Sequence, residues 1–326
     1  MRMIRLANEL QNVKTVAISG HIRPDGDCTG SCLAVRNYIL ENYPAVQADV
    51  YLEMVNPKFL FLKGADEVIT DDPQDKAYDL FISLDASDKE RLGGARRIFD
   101  KAARTLCIDH HITNPGFAEV NEIHPEASST CELVFELLEE ERISRETAEA
   151  LYVGLISDTG VFQYSNTTEK TLRTAGKLIS KGIPFTKIIE ETFYQKTYVQ
   201  NQVLGRALLE SILLLDGRVI VGRIRQKDME FYGVGPADLE GIVSQLRVTE
   251  GVEVAIFLYE TGNQEYKVSL RSNGPVDVSA VCAYFGGGGH VKAAGCTMHG
   301  TLHDVINNLM LPIENQLQET YEAGNE

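Results

Sequence analysis

The first half of the chain alternates short apolar runs with segments of helical periodicity. The apolar runs are Lys14–Ser19, Ala48–Met54, Asp79–Leu84 and Thr105–Ile108. A helical pattern follows the first run, and others cover Ser129–Glu141, Arg145–Ile156 and Thr168–Lys181. Serines at 129 and 144 stand where a helix N-cap is expected. Short apolar runs between helices are typical of a parallel sheet covered on both faces, so this half is predicted to be an α/β domain.

The rhythm changes after Pro184, where a connecting helix is predicted. The predicted elements beyond it are the helix Phe185–Phe193, a hairpin of Ile212–Leu215 and Arg218–Ile224, the helix Ala237–Arg247, the strands Val252–Tyr259 and Glu265–Arg271, and a helix at Leu302–Met310. The acidic tail Pro312–Glu326 is expected to fray. We therefore expect a parallel-sheet domain at 1–190, a helical linker at 191–205, and a smaller mixed α/β domain at 206–326.

Composition and charge limit the possible partners. The chain has 326 residues, which suits about two domains of roughly 150 residues each. Its 31 basic and 47 acidic residues give a net charge of −16, so it lacks the basic surface of proteins that follow long duplexes. No stretch has the length and apolarity of a signal peptide or a membrane span, and the six cysteines are scattered. We therefore expect a cytoplasmic protein whose nucleic-acid partners, if any, are short.

Four short segments rich in aspartate and histidine stand at the ends of predicted elements. They are His21-x-x-x-Asp25-x-Asp27, Asp85-Ala-Ser-Asp88, Asp109-His110-His111 and Asp158-Thr-Gly. Taken singly, each is more typical of a turn, a cap or a surface loop. Three of them follow predicted parallel strands, whose carboxyl ends meet at one sheet edge. Carboxylates gathered there would repel one another unless cations were bound, and a set of oxygen and imidazole donors favours Mn²⁺ or Mg²⁺.

The four segments resemble motifs one to four of the DHH phosphoesterase superfamily, with Asp109-His110-His111 as its defining triplet. The second half is similar to the DHH-associated C-terminal domain through Ser269-Leu-Arg271-Ser272 and Gly286-Gly-Gly-Gly-His290. The length of the two domains resembles the oligoribonuclease and pAp-phosphatase (nanoRNase, NrnA-type) branch. The resemblance implies two Mn²⁺ ions, or Mg²⁺ or other divalent ions, and hydrolysis of a phosphoester.

The resemblance also implies a role for each motif residue. One metal ion would be bound by His21, Asp25 and Asp85, and the other by Asp27, Asp85, His110 and Asp158, so that Asp85 bridges the two. Asp109 would orient a histidine, and His111 would face the scissile phosphate as a hydrogen-bond donor or a leaving-group acid. Two bound ions would activate water near neutral pH and neutralise phosphoryl oxygens.

In the second domain, a glycine run precedes a histidine and follows a strand that ends in arginine. The candidate substrate-binding residues are Arg271, Ser272, Gly287, Gly288, Gly289 and His290. Arginine suits a bidentate phosphate contact, and glycine allows close approach of the backbone. The small residues at 291–295 are expected to open a helix, whose N-terminus would attract an anion. We expect this domain to bind the terminal phosphate or base of a short oligonucleotide in a cleft that limits substrate length.

The leading hypothesis is a phosphoesterase that degrades short oligoribonucleotides, dephosphorylates 3′-phosphoadenosine 5′-phosphate (pAp), or does both. One alternative is a phosphodiesterase for pApA, a breakdown product of cyclic di-AMP, and another is a nucleotide-binding sensor without catalysis. A RecJ-type exonuclease is disfavoured because basic surface is lacking, and a family II pyrophosphatase because the second-domain motif is present. The oligomeric state is left open, and no membrane partner is expected.

Overall fold

The computed structural model describes residues 4–70 and 76–323, and the chain forms two compact units, Met1–Gln195 and Lys196–Glu326. The first unit contains a five-stranded sheet, with strands β1 (Thr15–Ser19), β2 (Gln47–Tyr51), β3 (Leu80–Leu84), β4 (Thr105–Asp109) and β5 (Val120–Ile123). Their order is β2-β1-β3-β4-β5, and every pair is parallel. The four strands predicted from sequence are confirmed, whereas β5 was not predicted because its residues are only partly buried.

The helices of this unit are α1 (Leu6–Glu9), α2 (Gly26–Asn42), α3 (Arg96–Phe99), α4 (Thr130–Leu137), α5 (Arg145–Asp158), α6 (Glu169–Ser180) and α7 (Phe185–Ile189). Helix α7 continues as a π-helical turn over Glu190–Tyr194. Both predicted serine caps are present, since Ser129 accepts the N–H of Glu132 and Ser144 that of Thr147. One hydrophobic core packs α2, α4 and α5 against the sheet, and a smaller one covers the opposite face. The sheet is therefore covered on both sides, as predicted.

Glycines allow α2 and α5 to pack closely at the end that carries the acidic motifs. A Cβ atom on Gly30 would lie 2.4 Å from the carbonyl oxygen of Ala150, and one on Gly26 would lie 2.6 Å from Ser157 Oγ. Contacts this short leave no room for a larger residue. The close packing therefore depends on glycine at both positions, and it fixes the start of α2 beside the end of α5.

The second unit contains a six-stranded sheet, with β6 (Ile212–Leu214), β7 (Val219–Ile224), β8 (Val254–Gly262), β9 (Glu265–Ser272), β10 (Gly288–His290) and β11 (Ala293–His299). The order is β10-β11-β9-β8-β7-β6, and only β7 and β8 are parallel within it. Its helices are α8 (Tyr198–Leu209), α9 (Gln226–Tyr232), α10 (Ile242–Arg247), α11 (Val278–Ala283) and α12 (Leu302–Ala323). Helices α11 and α12 cover one face, whereas on the other face α8 packs on β7 and α10 packs on β7, β8 and β9.

Two expectations for this unit were wrong. The small residues at 291–295 do not open a helix but lead into β11, because Ala294, Cys296 and Met298 alternate into the core. The tail beyond Pro312 does not fray within the described residues, since α12 continues to Ala323 and buries Ile313 and Leu317. Residues 324–326 of the predicted tail lie outside the described residues.

Candidate active site

The first motif links the end of β1 to the start of α2. Asp25 is the N-cap of α2, and its Oδ1 accepts the backbone N–H groups of Asp27 at 3.0 Å and Cys28 at 3.1 Å. His21 Nδ1 lies 2.8 Å from the carbonyl oxygen of Ile22, which leaves Nε2 directed to the carboxylates. His21 Nε2 is 3.7 Å from Asp25 Oδ1. A carboxylate oxygen of Asp25 and Nε2 of His21 are thus close enough to bind the same ion.

Asp85 lies at the centre of the cluster, directly after β3. Its carboxylate oxygens are 3.5 Å from His21 Nε2, 3.6 Å from His110 Nε2 and 3.7 Å from His111 Nδ1. The residue is 2% exposed and has a φ of +54°, a left-handed conformation that costs a non-glycine residue about 1–3 kcal/mol. Such strain persists where the surroundings fix the conformation, and here it accompanies a carboxylate that faces histidines on two sides.

Asp27 is fully buried and held by the N-terminus of α4. Its Oδ2 accepts the N–H of Thr130 at 2.6 Å, and its Oδ1 accepts the N–H of Cys131 at 2.9 Å. The hydroxyl of Thr130 also donates to Asp85 Oδ1 at 3.1 Å. The first turn of a helix carries positive partial charge and unpaired N–H groups, so α4 stabilises both carboxylates.

His110 connects this group to Asp158 at the end of α5. His110 Nε2 is 3.1 Å from Asp158 Oδ2, and its Nδ1 is 3.3 Å from the carbonyl oxygen of Ala127. Ligand atoms of Asp27, His110 and Asp158 all lie within 4.8 Å of one another, as do those of Asp85, His110 and His111. The sequence-predicted residues of the first unit are therefore neighbours in space.

Asp109 orients His111. Its Oδ1 accepts from His111 Nδ1 at 2.7 Å, and its Oδ2 accepts from Asn114 Nδ2 at 2.7 Å. Asn114 also donates to the carbonyl oxygen of Ala86 at 3.0 Å, and this bond connects Asp109 and Asn114 to the segment that follows Asp85. With its Nδ1 held in this way, His111 keeps its second ring nitrogen, Nε2, for another partner.

The charged groups at this site lie close enough to shift one another's pKa values. Burial raises the pKa of Asp27 well above its usual range, and the carboxylates of Asp158 and Asp85 raise it further. Burial also raises the pKa of Asp158, to about 6, although the hydrogen bond from His110 opposes the shift. Burial disfavours protonation of His110, but Asp158 and Asp27 outweigh it and raise that pKa to about 10. Crowded carboxylates thus take up or share protons when no cation is bound.

The donor set fits divalent metal ions with a preference for oxygen and nitrogen ligands. Asp25, Asp27, Asp85 and Asp158 supply carboxylates, and His21 and His110 supply imidazole nitrogens. The thiol of Cys28 also lies near His21 and Asp85, but burial raises its pKa well above the usual range, which favours the protonated thiol. A set dominated by carboxylate and imidazole suits Mn²⁺ or Mg²⁺ better than a structural zinc site.

The predicted substrate-binding residues of the second unit lie at one end of its sheet. Arg271 on β9 pairs with Ala293 on β11, which pairs with His290 on β10, so the three side chains share a face. Gly287 and Gly289 allow close backbone approach, because a Cβ atom on either would lie 2.3–2.4 Å from a carbonyl oxygen. Gly288 pairs with Gly295 one row further along the strands. Ser272 is buried, and its hydroxyl donates to the carbonyl oxygen of Gly274 at 3.2 Å.

Sequence reasoning missed two contributors to the first-unit site. Asn114 lies five residues after Asp109. This spacing does not by itself predict their contact, because the contact depends on the turn between the two residues. Thr130 and the α4 N–H groups lie more than 100 residues from Asp27 in sequence. Ser129 did indicate a helix start, and the burial of Ser128, Ser129 and Thr130 shows that this helix end faces the interior.

Comparisons with known proteins bear on both units. The DHH family N-terminal domain model matches residues 15–155, and the DHHA1 domain model matches residues 216–319. A Bacillus subtilis protein named bifunctional oligoribonuclease and PAP phosphatase NrnA is 27% identical, over 94% of this chain and 95% of its own. A protein of the same name from Mycoplasma pneumoniae is 30% identical over 87% of each chain.

A solved structure shows the same fold. The crystal structure of an exopolyphosphatase-related protein from Bacteroides fragilis has a TM-score of 0.87 to this chain at 24% identity. The match covers 95% of this chain and 94% of that one. Across residues 4–70 and 76–323, none of the helices has the length and apolar character needed to cross a bilayer.

Proposed function

This chain belongs to the DHH family, with a DHH domain followed by a DHHA1 domain, and on that premise we propose that it hydrolyses short oligoribonucleotides and pAp. Phosphoester hydrolysis is the chemistry of the family. The relatives named as oligoribonuclease and PAP phosphatase support these two substrates. The observation that carries the proposal is Asp85, a buried carboxylate with His21 on one side and His110 on the other, 3.5 and 3.6 Å away.

Two Mn²⁺ ions are proposed to bind at this cluster. His21, Asp25 and Asp85 would hold one ion, and Asp27, Asp85, His110 and Asp158 the other. Bound there, the ions would supply an activated water and neutralise charge on the phosphoryl oxygens. The buried carboxylates support this assignment. Burial and then the neighbouring carboxylates raise the pKa of Asp27, and bound cations would remove the repulsion between these carboxylates.

The protein's own groups orient the reaction. The α4 N-terminus fixes Asp27 through two backbone N–H bonds, so that carboxylate keeps its position as a substrate arrives. Asp109 and Asn114 hold His111 in one orientation. We assign to His111 the hydrogen bond to a phosphoryl oxygen or to the leaving oxygen, which stabilises the charge that develops there.

The second unit is proposed to bind the nucleotide. Arg271 and His290 share one sheet face and suit a phosphate group, and the backbone of Gly287, Gly288 and Gly289 offers close approach. Ser272 supports this end of β9 through its bond to Gly274.

A substrate panel tests the proposal. Purified protein would be assayed with pAp, pApA and RNA and DNA of two to ten nucleotides, each with Mn²⁺ and with Mg²⁺. We expect release of phosphate from pAp and of mononucleotides from short RNA, with activity falling as length increases. Selective cleavage of pApA would favour the dinucleotide alternative, and the absence of hydrolysis of all nucleotides with both metals would contradict the proposal.

A further inference from the structure

One asparagine outside the acidic motifs joins the end of α5 to the segment that leads into α4. Asn166, in the loop before α6, donates from Nδ2 to the carbonyl oxygen of Ser128 at 2.9 Å and to that of Asp158 at 3.1 Å. The atom beside these two carbonyl oxygens is identified as the amide nitrogen, because an amide oxygen there would meet only acceptors. Asn166 therefore connects two segments that both belong to the first-unit site.

The bond to Asp158 supplies a partner at a helix end. Asp158 is the last residue of α5, and the last carbonyl groups of a helix have no hydrogen-bond donor within the helix. By donating to this carbonyl oxygen, Asn166 fixes the backbone of the residue whose carboxylate lies 3.1 Å from His110 Nε2. The position of that carboxylate therefore depends on a side chain eight residues further along the chain.

The bond to Ser128 fixes the start of α4. Ser128 directly precedes the N-cap of α4, the helix whose first N–H groups bind the carboxylate of Asp27. The carbonyl oxygen of Ala127, one residue earlier, contacts His110 Nδ1 at 3.3 Å. One amide group thus holds both segments that position Asp27, His110 and Asp158, whose ligand atoms lie within 4.8 Å of one another.

A second link between α6 and α4 keeps Asn166 in place. Thr168 is the N-cap of α6 and forms a capping box with Thr171. The hydroxyl of Thr171 also donates at 2.9 Å to Oε2 of Glu132, a buried residue of α4. The same oxygen of Glu132 accepts the backbone N–H of Ser128 at 3.2 Å. The start of α6 is therefore joined to the start of α4 independently of Asn166, and this contact sets the position from which Asn166 acts.

We propose that Asn166 is a positioning residue for one of the two proposed ions, the ion held by Asp27, Asp85, His110 and Asp158. It acts through the backbone of Asp158 and through the start of α4. Removing a group that orients metal ligands typically weakens metal binding 10- to 100-fold. This inference rests on the proposed function and deepens it, because it assigns separate support to one of the two ions.

The test compares Asn166→Ala with Asn42→Ala. Asn42, the last residue of α2, also donates from Nδ2 to two carbonyl oxygens, that of Tyr38 at 2.9 Å and that of Arg142 at 3.3 Å. It lies at the opposite end of α2 from the Asp25 cap. Each variant removes an amide that bonds two carbonyl groups in the first unit, so both are expected to lower Tm.

Mn²⁺ binding would be measured by titration calorimetry, with the fold of each variant checked by circular dichroism at the same temperature. We expect wild type and Asn42→Ala to bind two ions with the same affinities, and Asn166→Ala to bind one of the two about 10- to 100-fold more weakly. Excess Mn²⁺ should restore kcat of Asn166→Ala for pAp with KM unchanged. Loss of stability alone would leave the Mn²⁺ affinities of the folded variant at the wild-type values.

A second variant keeps the test decisive. If Asn166→Ala does not fold, Asn166→Ser is measured instead, because its hydroxyl group can donate to only one of the two carbonyl oxygens. We expect it also to weaken the binding of one ion and not the other.

The outcomes separate this inference from the proposed function. If wild type binds two ions and hydrolyses pAp while the folded Asn166 variant has wild-type Mn²⁺ affinities, the positioning role is wrong and the proposed function stands. Equal weakening of both ions, or the same weakening in Asn42→Ala, would also overturn the positioning role. If wild type binds no Mn²⁺ and hydrolyses neither pAp nor short RNA, both proposals are overturned.

Discussion

Replacing Gly154 with alanine tests how the first unit holds Asp27. Gly154 lies on α5, and a Cβ atom there would be 2.2 Å from Cys131 Sγ and 2.6 Å from Asp27 Oδ1. Both neighbours are buried, and Asp27 is bound to the N–H groups of Thr130 and Cys131. The added methyl group therefore displaces either the carboxylate or the start of α4.

The size of the effect follows from opposing contributions. Overpacking a buried site costs about 1–3 kcal/mol, and exchanging glycine for alanine within a helix offsets up to about 1 kcal/mol. Moving Asp27 away from one N–H group costs about 1.5–3 kcal/mol more, since that hydrogen bond involves a charged acceptor. We expect the free energy of unfolding of Gly154→Ala to fall by about 1.5–5 kcal/mol, which lowers Tm by at least about 3 °C.

The assay combines denaturant unfolding with a Mn²⁺ titration of activity. Gly176→Ala on α6 is the matched control, because a Cβ atom there meets nothing within 4 Å, and it should gain up to about 1 kcal/mol. We expect Gly154→Ala to need more Mn²⁺ for half-maximal activity and Gly176→Ala to behave as wild type. Equal stability of the two variants, together with wild-type Mn²⁺ dependence in Gly154→Ala, would refute the reasoning.

Three further predictions concern the metal ions, the histidine and the phosphate contact. Mn²⁺ at 100 times its Kd should stabilise the protein by about 2.7 kcal/mol per site, seen as a rise in Tm that EDTA reverses; no rise would count against metal binding at this cluster. Asn114→Ala should lower kcat about 10- to 100-fold with little change in KM, since Asp109 loses a partner; a change in KM alone would contradict this role. Arg271→Gln should raise KM for pAp about tenfold or more and change KM for a phosphodiester reporter without a nucleoside by no more than about twofold. Equal increases in KM for the two substrates would show that Arg271 does not bind the phosphate.

Much of the first unit could be predicted because its signals are local. Each of β1, β3 and β4 is a short apolar run, and each delivers motif residues where it ends. Parallel strands end at the same sheet edge, so the sequence predicts that His21, Asp85 and His110 lie close together. The serine caps of α4 and α5 were predicted for the same reason, since the capping signal lies within a few residues.

The remaining features depend on contacts that the sequence does not mark. Strand β11 consists largely of small residues with weak strand propensity, and it forms because its pairing with β9 buries Ala294 and Cys296. Helix α12 runs past Pro312 because Ile313 and Leu317 are buried in the second-unit core. The left-handed backbone of Asp85 likewise has no local signal, because an aspartate at a strand end is ordinary.

The central claim is that one chain binds two divalent ions that share Asp85. The most direct measurement is the stoichiometry of Mn²⁺ binding by titration calorimetry, for wild type and for Asp85→Ala, with the fold of each checked by circular dichroism. We expect two ions per wild-type chain, and a folded Asp85→Ala variant that binds fewer ions and does not hydrolyse pAp. Two ions bound and full hydrolysis in Asp85→Ala would contradict a shared role for Asp85.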